Sequence, residues 1–361
     1  MKFKLLTFAF FFFSSPIAFC QTQAEQEAHS KGVEAVKLED EGKFDEAIKL
    51  LEEAQKLDSK NFVYPYELAY SYYGKGDYKK AIEYLNILKK HKDANDQVYQ
   101  LLGNSFDNLG DAEKSLEIYS EGLKRFPTSG KLFLEKGNVY WGKKEYSKAL
   151  PFYEQGIQAD PSFPSNYYRA SLLYCSSSEK IWGVLYGEIF MNLERNSART
   201  AEISKLLYQT YKSSITLTSD TSASVDFSKV NTISIDKNKL QIPFPISFGL
   251  MMTSGAATAL GAKDKELSLS SVNNIRSTFI KLWYDQNKNK QYPNVLFDYN
   301  KLLVDQDVFE AYNYWLFMKG NEAEFSKWKD VNKQKWDKFV SWFTENQIKL
   351  NDKNKLISSQ Y

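Results

Sequence analysis

The side chains that most often act as nucleophiles, general bases or metal ligands are scarce in this sequence. Of its 361 residues, two are histidines, His29 and His91, and two are cysteines, Cys20 and Cys175. Residues 92–361 contain no histidine, which excludes Ser-His-Asp and Cys-His catalysis there. The histidines and cysteines also form no cluster for zinc. We therefore predict no catalytic residue, no metal site and no cofactor; the enzymatic alternative is a glycosidase-like carboxylate pair in the C-terminal half.

One segment approaches a phosphate-binding loop without completing it. Residues 137–144 have the Gly and Lys spacing of that motif, but Lys144 stands where a serine or threonine would bind magnesium. The segment also falls within a predicted helix, whereas a phosphate-binding loop joins a strand to a helix. We therefore predict no nucleotide binding at this position.

The charge balance gives no sign of a nucleic-acid partner. The chain has 47 lysines and arginines against 45 aspartates and glutamates. Removal of Lys2 and Lys4 with the leader described below makes the two signs equal, so bulk attraction to phosphate backbones is unsupported. Hydrophobic residues at 43% and charged residues at 25% indicate a packed protein, not a disordered chain.

The first 20 residues have the features of a secretory signal peptide. Two lysines precede an uncharged apolar run at residues 5–13, and Ala18 and Cys20 place small residues before a cut ahead of Gln21. The apolar run is too short to span a bilayer. We predict a mature protein that starts at Gln21 and is exported to the periplasm. The alternative is that Cys20 is retained and lipidated, which would give an outer-membrane lipoprotein.

A shift of 34 residues aligns the N-terminal half of the chain with itself. Most columns of the alignment keep one size class: Gly42, Gly76 and Gly110; Ala47, Ala81, Ser115 and Ala149; Leu38, Tyr72, Phe106 and Tyr140; and Ala35, Ala69, Gly103 and Gly137. Small residues let two helices approach within about 8–10 Å, and glycine adopts the left-handed conformation that a tight helix end needs. The period therefore predicts successive helix pairs, with Lys144 in place of the fourth glycine.

This pattern of small, aromatic and glycine positions resembles the tetratricopeptide repeat over residues 28–163, and we predict a fifth, degenerate copy. The resemblance implies an all-α fold, an α-solenoid of helix pairs with a concave face. We expect a mostly helical C-terminal domain with a short β-hairpin to follow. The predicted segments are a signal peptide at 1–20, repeats at 28–61, 62–95, 96–129, 130–163 and 164–197 (28–197 in all), a capping helix at 198–215, and a C-terminal domain of unknown type at 216–361.

In such repeats the first helix of each pair lines the concave face. The residues that we predict to contact a ligand there are Tyr66, Tyr70, Tyr73, Gln97, Gln100, Asn104, Asp107, Lys131, Asn138, Trp141 and Tyr168. Tyrosine, asparagine and glutamine offer amphipathic area and adaptable hydrogen bonds, so the resemblance implies binding of a peptide or partner helix. Two alternatives remain: the face is merely solvated, or the protein's own C-terminal half covers it.

The C-terminal half carries no motif that specifies a chemistry. Residues 216–248 alternate as in a short hairpin. The following uncharged stretch, residues 242–261, contains prolines and polar residues that favour a buried helix over a membrane span, so we predict no membrane span. Residues 271–285, 308–318 and 322–347 have the apolar spacing of amphipathic helices. Five of the seven tryptophans follow residue 280, which predicts an aromatic core.

The resemblance to tetratricopeptide repeats implies a noncatalytic protein-interaction scaffold of the bacterial cell envelope, whose partner is another protein or peptide. Two other functions stay open. One is an enzyme with a carboxylate-based site in the C-terminal domain, for which the repeats recruit substrate. The other is a membrane-tethered assembly component, anchored through Cys20 or through residues 243–262.

Overall fold

Helices dominate the structure, a computed structural model that describes residues 22–219, 222–230, 234–236, 239–259 and 267–361. The chain divides into two compact units, one ending at Ala94 and the other beginning at Asn95. The helices confirm the predicted all-α class and the helix pairs of a solenoid. The predicted signal peptide lies outside the described residues.

The described part of the first unit contains two helix pairs. They are α1 (Gln23–Asp40) with α2 (Phe44–Leu57), and α3 (Val63–Gly74) with α4 (Tyr78–Leu88). Each pair completely buries the alanines at the small positions of the repeat, Ala35 with Ala47 and Ala69 with Ala81. These alanines occupy the small positions of the 34-residue period, so each pair buries the positions where the sequence predicts close packing.

The second unit begins with three more pairs and a single helix. They are α5 (Asp96–Asn108) with α6 (Ala112–Arg125), α7 (Gly130–Gly142) with α8 (Tyr146–Ala159), α9 (Pro164–Cys175) with α10 (Lys180–Leu193), and then α11 (Ala198–Ser214). The C-terminal region covers α11, because the hydroxyl of Tyr208 donates to the carbonyl of Leu267 and the ring of Tyr211 packs against Phe317. The segment predicted to cap the array is therefore an internal helix of this unit.

Left-handed residues close the turns within the helix pairs. Gly42, Gly76 and Gly110 have φ angles of 73°, 85° and 84°, a region that glycine occupies without strain. Lys144, which replaces the fourth glycine, has a φ of 61°. The fourth turn therefore keeps a left-handed residue although its sequence departs from the repeat.

Glycine also sets the distance between helices in the third and fourth repeats. A Cβ atom on Gly103 would lie 2.1 Å from the ring of Tyr119, and one on Gly137 would lie 2.3 Å from the ring of Tyr153. Both tyrosines are almost wholly buried, so their rings cannot move aside without opening the core. In these pairs the tyrosine ring of the second helix therefore packs directly against the backbone of the first helix.

Strand pairs and further helices form the described C-terminal region. The strands are β1 (Ile215–Ser219), β2 (Ser222–Val225), β3 (Ser234–Asp236) and β4 (Lys239–Gln241), paired antiparallel as β1 with β2 and β3 with β4. The helices are α12 (Phe244–Ala259), α13 (Leu269–Asp285), α14 (Lys288–Gln291), α15 (Val295–Asp305), α16 (Phe309–Leu316), α17 (Glu322–Val331) and α18 (Lys333–Glu345). A 3₁₀ turn spans Ser358–Gln360.

Two details of this region differ from the sequence prediction. The sequence predicts one hairpin, whereas the described residues form two, the first of them directly after α11. The single helix predicted over residues 322–347 is broken at Asn332. The side-chain amide of Asn332 donates to the carbonyl of Trp328 at 2.9 Å, a local bond that competes with continuation of the helix.

One cluster of buried side chains extends through the second unit from Ala149 to Ile357. The boundary predicted at residue 216 therefore does not separate two hydrophobic cores. Helix α12, the uncharged stretch, belongs to this cluster, with Phe244 and Phe248 fully buried. In the part of the chain that the structure describes, no helix combines the length and apolar character needed to cross a membrane.

Replacing Gly137 by alanine should destabilise the second unit by about 1–3 kcal/mol, because the new Cβ overlaps the ring of Tyr153. The matched control is Gly142→Ala in the same helix, where nothing lies within 4 Å of an added Cβ. Alanine there should leave stability unchanged or raise it slightly. Urea unfolding followed by tryptophan fluorescence measures both, since all seven tryptophans lie in this unit. Equal stability of the two variants would contradict the described packing.

Candidate functional site

The residues predicted to contact a ligand lie on the first helices of the second to fifth pairs. Helix α3 of the first unit carries three of them, and helices α5, α7 and α9 of the second unit carry the other eight. We call those eight the first-helix face: Gln97, Gln100, Asn104, Asp107, Lys131, Asn138, Trp141 and Tyr168. Several occupy equivalent positions 34 residues apart, as Asn104 and Asn138 do, so successive repeats present them in register.

The three tyrosines on α3 differ in exposure. Tyr70 is 43% exposed, whereas Tyr66 and Tyr73 are half-buried. The ring of Tyr73 packs edge-on against Tyr78, with 5.4 Å between the ring centroids, so it contributes to packing within its own helix pair. Tyr70 is therefore the most accessible of the three to a ligand.

Glu135 on α7 joins two residues of the first-helix face. Its Oε1 accepts a hydrogen bond from Gln100 Nε2 at 2.8 Å, and its Oε2 accepts one from Asn138 Nδ2 at 2.9 Å. Beside them, Lys131 Nζ lies 3.6 Å from Asp96 Oδ1. Polar side chains of α5 and α7 therefore position one another across the contact between the two helices.

Two asparagines predicted to bind a ligand serve the packing of their own helix pairs. Asn104 Oδ1 accepts a hydrogen bond from the hydroxyl of Tyr119, and Asn138 Oδ1 accepts one from Tyr153 at 3.2 Å. These are the tyrosines whose rings lie over glycines. Burial raises the pKa of Tyr153, which keeps its hydroxyl protonated and donating. Replacing either asparagine would therefore disturb the fold as well as any ligand contact.

Aromatic and cationic side chains meet where α7, α9 and α11 are neighbours. The guanidinium carbon of Arg169 lies 4.8 Å from the ring centre of Trp141 and 5.8 Å from that of Tyr168. The Tyr168 hydroxyl donates to Glu202 Oε2 at 2.6 Å, and Arg199 lies over the same ring at 5.0 Å. Burial, together with the bond to Glu202, raises the pKa of Tyr168 to about 12. Cation–π attraction holds these side chains together.

Gln97 and Asp107 are the exposed members of the first-helix face. The side-chain oxygen of Gln97 accepts a 3.4 Å hydrogen bond from its neighbour Asn95. Partial burial raises the pKa of Asp107, while the charge of Lys143 opposes that shift. Both side chains can therefore be replaced without breaking a described hydrogen bond between helices.

The C-terminal tail contacts the second helices of the repeats. Lys355 Nζ donates to the carbonyl of Gln158 on α8, and the hydroxyl of Ser358 donates to Glu154 on the same helix. The backbone N–H of Ser358 donates to the hydroxyl of Tyr186 on α10 at 2.9 Å. By contrast, among the described residues, the side-chain hydrogen bonds and ring contacts of the first-helix face end within α5–α11.

Two adjoining cavities lie beside the start of α15 in the C-terminal region. The larger, about 550 Å³, is lined by residues 291–295, Asp298 and parts of the tail. The smaller, about 380 Å³, shares Val295 and Asp298 and adds Glu345. No group of three or more metal-binding side chains occurs in the described ranges. The side-chain carboxylates that line these two cavities are Asp298 and Glu345.

A buried ion pair, which no pattern in the sequence predicts, joins the last repeat to the C-terminal helices. Arg276 on α13 donates to both carboxylate oxygens of Glu188 on α10, at 2.6 and 2.8 Å, and the side chains are 6% and 3% exposed. The hydroxyl of Tyr312 donates to Glu188 at 3.0 Å, and Arg276 Nε donates to Asn313 at 2.7 Å. Burial opposes the charge of Arg276, but Glu188 raises its pKa above the ordinary value. The sign of this ion pair in the sequence is a single acidic residue within the apolar α10.

A second buried carboxyl, Glu39, lies in the first unit. It is 7% exposed and accepts a hydrogen bond from the hydroxyl of Ser71 on α3. Burial, and to a smaller extent the charges of Glu67 and Asp40, raise its pKa to about 7, although the bond from Ser71 lowers it. Near neutral pH, this carboxyl is therefore protonated in a substantial fraction of molecules.

Comparison with known proteins identifies the repeat region. Two family models, each described as tetratricopeptide repeat, match residues 38–104 and 101–164. Among solved structures, MamA is 22% identical with a TM-score of 0.36, over 44% of this chain and 94% of its own. A thermophilic TPR protein of Thermus thermophilus is 19% identical (TM-score 0.42; 50% and 98%), and Pseudomonas aeruginosa pilF is 16% identical (TM-score 0.44; 53% and 86%). No curated protein matches the chain.

We expect the first unit to be more stable at pH 5 than at pH 8. A carboxyl whose folded-state pKa is raised from 4.5 to about 7 binds its proton more tightly when folded, so stability is lost as the pH rises through that range. The expected difference is on the order of 2 kcal/mol. Amide hydrogen exchange of residues 23–88, corrected for the intrinsic exchange rate at each pH, measures this difference in stability.

The Glu39→Gln variant should lose most of this pH dependence, and the remainder comes from Glu67, whose pKa burial also raises. Glu34→Gln, at an exposed position of the same helix, should keep it. If Glu39→Gln retains the full difference between pH 5 and pH 8, the effect does not come from this carboxyl.

Arg276→Met should destabilise the second unit by about 3–5 kcal/mol, because it leaves Glu188 buried and unpaired. The double variant Glu188→Met/Arg276→Met removes both charges and should recover most of that loss. Lys281→Met, which breaks an exposed pair with Asp285 on the same helix, should cost about 1 kcal/mol or less. Urea unfolding measures all three, and a double variant no more stable than Arg276→Met would assign the loss to packing instead of charge.

Proposed function

Because residues 38–164 are tetratricopeptide repeats, we propose that this chain is a noncatalytic scaffold that binds a peptide or a partner helix on the first helices of its repeats. The observation that carries the proposal is the first-helix face. Three successive first helices present polar and aromatic side chains in register, while the described C-terminal tail contacts second helices. Such side chains combine apolar area with adaptable hydrogen bonds.

Several side chains of this face are held in position without a ligand. Glu135 fixes Gln100 and Asn138, and Glu202 fixes Tyr168. Binding to positioned groups loses less conformational entropy than binding to mobile ones. The exposed members of the face lie close in sequence to these fixed groups. They provide further contact area for a partner.

The proposed place of action is the bacterial cell envelope. The support for this step is the sequence of residues 1–20, with its predicted cut before Gln21. The partner would then be another exported protein or peptide. Fractionation followed by mass measurement tests the step. Release by osmotic shock of a chain that starts at Gln21 agrees with it, whereas a chain that stays with the membranes until detergent is added and carries a lipid on Cys20 is an outer-membrane lipoprotein.

Affinity capture with the mature chain, followed by calorimetry with the captured partner, tests the binding function. Gln97→Ala/Asp107→Ala in the second unit should weaken binding by about tenfold, and so should Tyr70→Ala in the first unit. The matched control is Glu113→Ala/Lys124→Ala, which replaces exposed residues of the second helix α6. The control should bind as the unaltered protein does.

Unchanged affinity in both face variants would refute the proposed binding function. Alanine at Asn104 or Asn138 is a poor test because it also removes a bond to a core tyrosine. Deletion of residues 216–361 is a poor test for a related reason, since it opens the shared core and leaves Glu188 unpaired. Point substitutions at exposed positions separate recognition from folding.

A further inference from the structure

Arg169 is a cation with no carboxylate partner within the described parts of the chain. It is half-buried on α9, and its guanidinium lies against the rings of Trp141 and Tyr168. Arg276, by contrast, is fully engaged with Glu188. The aromatic rings accept no conventional hydrogen bond from the guanidinium, so its N–H donors stay available to a ligand. Arg169 is therefore held in place with donors suited to a carboxylate.

A mostly apolar cavity adjoins the same tryptophan. Its volume is about 490 Å³, and its apolar lining consists of Trp141, Tyr146, Leu150, Leu172 and Leu173. Tyr146 packs edge-on against Trp141 with 5.4 Å between the ring centroids and is 45% exposed. A cavity of this size and lining is suited to apolar groups of a ligand.

The turn between α7 and α8 adds positive charge. It is adjacent in the sequence to residues that line this cavity. Lys143 and Lys144 are both exposed there. The adjacent acid, Glu145, pairs with Lys148 at 2.5 Å, and Asp107 offsets part of the charge of Lys143. The described cavity lining contains no acid, and the cations close to it include Arg169, which contacts Trp141, and these two exposed lysines. A negatively charged group that reaches Arg169 from the cavity therefore meets no acidic side chain in the lining.

We propose that Arg169 and this cavity form a binding site for an acidic peptide segment. A carboxylate of the segment pairs with Arg169, and a neighbouring aliphatic or aromatic side chain fills the cavity. The inference rests on the function proposed above and specifies the chemistry of its ligand. Because Trp141 contacts the guanidinium and lines the cavity, the two ligand groups must lie within a few residues of each other.

A displayed pool of random 12-residue peptides is the probe. Selection against the mature protein should enrich peptides that carry Asp or Glu within four residues of Leu, Ile or Phe. Calorimetry then compares one selected peptide with the unaltered protein, Arg169→Gln and Arg125→Gln. Arg125 is the matched control because its guanidinium also lies over an aromatic ring, that of Phe126 at 5.3 Å, but on α6.

Arg169→Gln should weaken peptide binding by about tenfold, the usual scale for a charge-assisted hydrogen bond, and Arg125→Gln should not. A peptide with its acid replaced by the amide should bind the unaltered protein and Arg169→Gln equally weakly, which assigns the loss to one ion pair. Arg169→Lys keeps the charge and should retain part of the affinity. Circular dichroism verifies that each variant is folded.

Three results would overturn the proposal: no enrichment, enrichment of peptides without acids, or equal affinity for Arg169→Gln and the unaltered protein. Its failure is distinguishable from failure of the scaffold function. A captured partner that is weakened by Gln97→Ala/Asp107→Ala but not by Arg169→Gln supports the scaffold and rejects the acidic-peptide site. A partner weakened by neither these variants nor Tyr70→Ala rejects both.

Discussion

The close approach of two helices, with a ring against a backbone, is the constraint on which the first-helix face depends. Gly137 has no side chain, so the ring of Tyr153 fills the space between α7 and α8. Its hydroxyl then reaches Asn138, whose amide in turn donates to Glu135. Contacts therefore run without a break from the centre of the helix pair to the surface. The polar groups offered to a partner are positioned by the packing beneath them, and a change in that packing would move them together.

The C-terminal region completes the packing of the last repeat. Helix α10 is buried from Ile181 to Asn192, and a helix buried on all sides needs neighbours on all sides. Helices α9 and α11 supply some of them, and the C-terminal helices supply the rest. The pair of Glu188 and Arg276 lies within this packing, where a shifted arrangement would leave two charges desolvated and unpaired. The apolar surfaces drive the association, and the ion pair penalises other alignments.

The helix pairs that recur along the chain could be predicted from the sequence, whereas the side-chain contacts that join helices could not. The helix pairs follow from columns that are sampled in several repeats. Asn104 and Asn138 lie on the predicted face, but their bonds to tyrosines 15 residues later depend on side-chain geometry. Glu188 and Arg276 are 88 residues apart and have no repeated counterpart, so no pattern connects them. Arg169 was missed because its stacking on two rings becomes visible only when α7 and α9 are neighbours in space.

The bonds of Ser358 link the end of the described chain to much earlier helices. Glu154 and Tyr186 precede it by 204 and 172 residues. At roughly 5–20 residues per second, a ribosome produces both helices about ten to forty seconds before the residue that covers them. Local helix pairs such as those of the first unit form without distant residues. The second unit therefore reaches its final packing only after residue 358 has emerged, and until then the part of α10 around Tyr186 lacks its contact with the C-terminal tail.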